Sequence, residues 1–140
     1  MSTQQNPTQY AECIQWQLSS IVSPVPVYAN FNRNWAKQTK FLTWQLRNVH
    51  QPVYTGQTQS NKGIDRPTFQ ISVFAVTMDD AFNLSNDILQ SLHGYSGTFG
   101  DPDTTGFFIA KADCVWLYNT YDNNIGQNQI IIDCTLDIPT

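Results

Sequence analysis

The chain has 140 residues, a formal net charge of −4 and only 13% charged residues, about half the ordinary share. That length suits one domain, residues 1–140, that buries a core without disulfide staples. The acidic balance, with a pI near 4.7, argues against a protein that grips nucleic acid by neutralising phosphates. Hydrophobic residues make up 41% and aromatics 13%, so solubility rests on Gln, Asn, Thr and Ser. Such a surface is easily desolvated and suits packing against neighbours. No long apolar run suggests a membrane, and the polar start MSTQQNPTQ reads as no secretory signal. Cys13, Cys114 and Cys134 are therefore expected as free, mostly buried thiols in a reducing compartment.

Residues 1–5 read as a loose polar arm. Asn6-Pro7 is a helix start, with Asn6 as N-cap, Pro7 at the first helical position and Gln9 placed for a capping-box bond. Ala11, Ile14, Leu18 and Ile21 follow at helical spacing, beside Cys13 and Trp16. Pro24 and Pro26 end the helix near Ser20–Ser23 and confine Pro24–Ala29 to a short edge segment. Asn30–Gln38 reads as a polar loop, and Lys40–His50 as a strand with Leu42, Trp44 and Leu46 on one face. Gln51–Arg66 is a long Gly-, Ser-, Asn- and Gln-rich loop, longer than a hairpin needs and suited to binding or to ordering on assembly.

Thr68–Thr77 predicts a strand, with Phe69, Ile71, Val73 and Ala75 on a wholly apolar face. At Thr77 the period turns helical, and Ala81, Leu84, Ile88 and Leu92 form a stripe that Phe82 and Leu89 widen. Thr77 caps this helix, Asp79 and Asp80 suit its positive end, and Gly94 stands where a left-handed residue is wanted. Tyr95–Gly106 is turn chemistry throughout. Two strands close the chain: Phe107–Asn119, with Phe108, Ala110, Ala112, Cys114, Trp116 and Tyr118 on one side, and Gln129–Ile138, with Ile130, Ile132, Cys134, Leu136 and Ile138. If their connection, Thr120–Asn128, turns near Asn124, Cys114 and Cys134 fall opposite each other as reduced core thiols. The fold class expected is α+β, an antiparallel or mixed sheet of four to five strands packed against two helices.

Little in the sequence points to catalysis. His50 and His93 lack metal-ligand spacing, and His93 in a last helical turn suits the negative helix end. No nucleophile elbow, phosphate loop or dinucleotide fingerprint occurs. Asp79-Asp80 reads as helix capping, and Asp101 and Asp103 flank Pro102 without the ligand count that calcium requires. Cys114 lies mid-strand among apolar residues, where thiols are inert. No catalytic, cofactor or metal residue is expected.

Three stretches carry a family likeness: the first helix leading into Val25-Pro26-Val27-Tyr28, the strand-to-helix run Thr68–Leu92, and the terminal pair ending Cys134-Thr135-Leu136-Asp137-Ile138. In these the chain resembles the tail-completion proteins of long-tailed bacteriophages, the tail terminator or tail-to-head joining group. The resemblance implies a non-enzymatic virion protein of the tail or neck, assembled in the host cytoplasm. It implies a homo-oligomeric ring, commonly a hexamer, that caps the tail tube, meets the head connector or stopper and lets DNA pass without specific binding, with no membrane and no cofactor. In a ring of that kind the loops are expected to make the contacts, through Phe31, Trp35, Tyr54, Gln57, Asn61, Lys62 and Phe99. Two alternatives stay open: another neck component, such as a head-completion or connector protein, and a small α+β ligand-binding module or enzyme using Asp79 and Asp101.

Overall fold

The computed structural model describes residues 7–30, 38–50 and 64–139. Helix α1 (Pro7–Val22) begins at the proline, whose missing N–H costs nothing in a first turn. It stops where Pro24 and Pro26 cannot continue it. Tyr10, Cys13, Ile14, Leu18 and Val22 form its buried stripe. Strand β1 (Val27–Ala29) is a three-residue edge running parallel to β2 (Lys40–His50), with Val27 opposite Leu42. Strand β3 (Ile64–Ala75) lies antiparallel to β2, and two residues later the chain enters α2 (Met78–Leu92). Thr77 caps α2 as expected, its Oγ1 accepting from Asp80 N at 3.2 Å. Strands β4 (Gly97–Phe99) and β5 (Phe107–Ile109) form a small hairpin, and β6 (Lys111–Asp122) and β7 (Gln127–Pro139) a long one.

The main sheet has the order β1-β2-β3-β7-β6, antiparallel except between β1 and β2, and carries two helices on one face. This is the expected α+β class. The helix-covered face holds Leu42 and Trp44, then Phe69, Ile71, Val73 and Ala75, then Ile130, Ile132, Cys134, Leu136 and Ile138, all buried. From α2 the same core receives Ala81, Leu84, Ile88 and Leu92. A buried residue of this size contributes roughly 1.5–3 kcal/mol. The partly exposed pairs Arg47–Asp133 (2.6 Å) and Arg66–Asp137 (3.1 Å) lie on the other face and contribute about 1 kcal/mol or less each. Apolar packing therefore holds the layers together, and Gln15 pins their register. Its Oε1 accepts from Trp44 Nε1 at 2.7 Å and its Nε2 donates to the Val27 carbonyl at 2.9 Å.

The sheet is buried on its second face too, near the start of β2. Phe41 stacks on Phe74 with centroids 4.8 Å apart, Tyr28 meets Phe41 edge-on, and Ile131 is buried. This matches the two-sided apolar character expected at the end of β3.

Four expectations are corrected. First, Gln51–Arg66 is not loop to its end, because β3 begins at Ile64; residues 51–63 lie outside the described residues. Pro67 hid the extension. It pairs with Val49 of β2, while the ladder to β7 skips Arg66 and Pro67 and resumes in register at Thr68, consistent with the missing proline donor. Second, Tyr95–Gly106 is not turn throughout, since it contains β4. Third, Phe107–Asn119 is two strands of opposite phase. The chain breaks at Ala110, so Phe107 and Ile109 are buried and Phe108 is exposed, and only from Ala112 do even positions face the core. Fourth, a bulge at Leu117 turns Tyr118, expected beside Trp116, to the opposite face: Trp116 sits opposite Ile132 and Tyr118 opposite Ile131.

Candidate functional site

The two edges of the sheet are unlike. β1 is three residues long and preceded by Pro24 and Pro26, devices that blunt an edge against further pairing. The other edge, β6, is long, and its two halves differ. In the first half its outward groups are satisfied: Ala112 N donates to the Tyr95 carbonyl at 2.9 Å, Gly94 N donates to the Ala112 carbonyl at 2.7 Å, and Cys114 N donates to His93 Nδ1 at 3.0 Å. Gly94 takes φ +79°, as expected of the residue that turns the chain out of α2 toward this edge.

Beyond Cys114 no backbone pairing meets the outer edge of β6 among the described residues. That open half carries no charged residue from Cys114 to Tyr121 and is apolar or aromatic except at Asn119 and Thr120. Val115, Leu117, Tyr118 and Tyr121 are each 43–53% exposed. The bulge distributes these side chains over both faces of the strand. On the helix side, exposed Phe82 of α2 stacks on Trp116, centroids 6.2 Å apart. A strand with free N–H and C=O groups and no lysine, proline or inward charge along this half is a template for another strand. Tyr and Trp are the residues that supply interface energy at low entropic cost.

His93 serves this edge differently from the expectation. Its Nδ1 accepts the Cys114 N–H at 3.0 Å. Nδ1 therefore does not donate to Asp113, whose Oδ1 lies 3.8 Å away.

The expected contact residues Phe31, Trp35, Tyr54, Gln57, Asn61 and Lys62 lie outside the described residues. Phe99 is fully buried, its ring tilted against Phe107 at 6.0 Å, so in this chain it serves the core. The two carboxylates of the enzymatic alternative lie at a helix start and in a turn. Asp79 lies in the first turn of α2. Asp101 closes its loop, with Oδ1 accepting from Asp103 N at 2.9 Å and its carbonyl accepting from Gly106 N at 2.8 Å. Among the described residues no three His, Cys, Asp or Glu side chains could hold a metal ion. An open depression of about 400 Å³ is lined by Pro24, Val25, Pro26, Gln38, Thr39 and Lys40, a set with no carboxylate or imidazole. No described helix is long and apolar enough to cross a membrane.

Comparison with known proteins places this geometry in context. No protein-family model matches the chain, and no curated protein matches it by sequence. Among solved structures, the fold is similar to the sheath/tube terminator of an extracellular contractile injection system, PVC, determined by cryo-EM in the extended state. The TM-score is 0.53 at 10% sequence identity, over 99% of this chain and 58% of that one. The chain thus spans little more than half the length of the protein it resembles.

Proposed function

We propose that the chain is a structural subunit of a tail-like assembly, a terminator that forms a ring on the end of a finished tube. The observation that carries this reading is the likeness of fold, over 99% of the chain, to a sheath/tube terminator. A ring built from one kind of subunit is heterologous, so each copy offers two different surfaces. The open half of β6 is one of them on this reading, and it receives a neighbouring copy. Low charge along that half keeps desolvation inexpensive.

The finer assignments belong to the same proposal. The ring is a hexamer in the neck of a long-tailed phage virion, its partners are the tail tube protein and the head connector, and DNA passes through an acidic subunit without being held. A tube and sheath of a contractile apparatus are the corresponding partners if the assembly carries no head. The protein is not an enzyme on this reading, and the turn that engages the Asp101 carboxylate agrees with that.

Native mass spectrometry and negative-stain electron microscopy test the proposal, with the purified protein alone and beside its tube protein. A discrete ring, formed alone or on the tube end, is expected. A monomer at high concentration that stays monomeric beside tube protein sinks it.

A further inference from the structure

Cys114 and Cys134 sit directly opposite each other on β6 and β7, both buried and both free. Their pairing type follows from the hydrogen bonds around them. Ala112 exchanges its backbone bonds with Gly94 and Tyr95, and Cys114 N donates to His93, so both residues turn their backbone groups away from β7. Cys114 and Cys134 are therefore a non-hydrogen-bonded antiparallel pair, the arrangement that brings side chains closest, with Cα atoms about 4.5 Å apart. That is the short end of the ~4.4–6.8 Å a disulfide spans. Its neighbour Cys114 first, and burial second, hold the Cys134 thiol well above the ordinary thiol range.

We propose that Cys114 and Cys134 are a reversible oxidation site, in which a peroxide converts the thiol pair to a cross-strand disulfide. The two partners have distinct roles. Cys114, 6% exposed on the edge strand, is the one an oxidant reaches, whereas Cys134 is fully buried. The Cys114 thiolate attacks one peroxide oxygen, breaking the O–O bond and forming a sulfenic acid while hydroxide leaves and is protonated to water. The Cys134 sulfur then attacks the sulfenic sulfur, its proton leaving with the displaced hydroxyl as a second water. Two thiols lose two electrons and two protons, and one peroxide is reduced to two waters. A thiol reductant reverses the bond by exchange. Its consequence is mechanical. It locks the satisfied half of β6 to β7 and fixes the base of the open half, however the subunit assembles.

The test treats the intact purified chain with graded hydrogen peroxide, then denatures it, alkylates it and maps its peptides by mass spectrometry. A reducible Cys114–Cys134 cross-link is expected, with a gain of several degrees in melting temperature that dithiothreitol reverses, while Cys13 stays alkylatable. The Cys134→Ser variant should stop at a sulfenic acid on Cys114, trapped by a dione probe. Cys114 and Cys134 remaining fully alkylatable at peroxide levels that oxidise the denatured chain overturns the proposal. So does a bond from either residue to Cys13 or to another copy.

Discussion

The Tyr10 hydroxyl donates to Asp65 Oδ2 across 2.6 Å inside the core, fastening α1 to the start of β3, and both residues are 1% exposed. A carboxylate at that depth is tolerable only when donors meet it. Tyr10→Phe keeps the ring and its edge-on contact with Phe107 but removes one donor. We expect a loss of about 1–3 kcal/mol, the cost of stranding part of a buried polar group, read from urea unfolding. An unchanged midpoint would show that the bond contributes nothing.

The same pair sets an alkaline limit. Burial first, then the hydrogen bond and the charge of Asp65, hold the Tyr10 phenol far above its ordinary value. A group whose folded value is raised contributes stability that is fully present below its unfolded pKa, about 10 for Tyr, and is lost as pH rises from there toward the folded value. Burial raises the Cys13 thiol as well, against a lowering by Thr105, and Cys134 is also raised. Their contributions begin to fall above the ordinary thiol value of about 8.5. Melting temperature should therefore decline above about pH 8.5 and fall faster above about pH 10. The gap between wild type and Tyr10→Phe should narrow over that upper range. A gap that widens with pH contradicts the assignment.

Gly100 joins the β4–β5 hairpin to α1, its N–H donating to Gln17 Oε1 at 3.0 Å. It has φ +92°, and a Cβ there would sit 2.5 Å from Cys13 Sγ and 2.8 Å from Cys13 Cβ. Backbone strain and overlap with a helix side chain act together, so Gly100→Ala should cost about 2–4 kcal/mol. Gly94→Ala is the comparison, because its φ of +79° is also left-handed but its Cβ would meet nothing within 4 Å. It should cost about 1–2 kcal/mol from conformation alone. Equal losses at the two sites would mean that the contact with Cys13 is not what excludes a side chain.

How much of this was legible beforehand depends on whether a signal was local. The stripe Ala81, Leu84, Ile88 and Leu92, the Thr77 cap and the alternation from Ile130 to Ile138 are set by spacing within one element, and each stands in the structure as read. Cys114 and Cys134 pair as expected, but the turn alone does not set that pair: Asp122 opposite Gln127 would put Cys114 against Thr135, and the bulge between Trp116 and Tyr118 shifts the register by one residue. What failed depended on partners distant in sequence. Tyr10 was not read as core because its partner Asp65 lies in a stretch whose composition resembles a loop. Ala110 carries no turn signal, yet its N–H bonds the Asp137 carbonyl at 2.8 Å and the strand changes sheets there. The candidate docking edge was missed for the same reason. Strand order decides which strand is outermost, and the run Val115–Tyr121 reads identically in a central strand and at an edge.

Thr77→Ala removes the side chain that caps α2, leaving the Asp80 N–H without its acceptor at the helix start. A loss of about 1 kcal/mol is expected, and Thr77→Ser should recover most of it. Because Thr77 is exposed and makes no core contact, a loss much beyond this would point to displacement of the β3–α2 junction. Hydrogen exchange at residues 78–81 separates the two outcomes, since a lost cap frays only the first turn.

The proposed subunit interface has the most direct test. Leu117 and Tyr118 are exposed at the bulge of β6 and make no contribution to the buried core. Lysine is a residue natural proteins place on sheet edges to prevent pairing. Leu117→Lys and Tyr118→Lys should therefore leave the folded subunit almost intact, changing its stability by less than about 1 kcal/mol, while adding a charge that a neighbouring strand would have to bury. Sedimentation velocity of the double variant should show the ring lost and a monomer of unchanged shape in its place. Val76→Lys is the control, equally exposed but outside the edge; it should assemble as wild type does. A double variant that still forms the wild-type ring would move the subunit contact away from β6, and assembly lost equally in the control would make general surface charge, not this edge, the determinant.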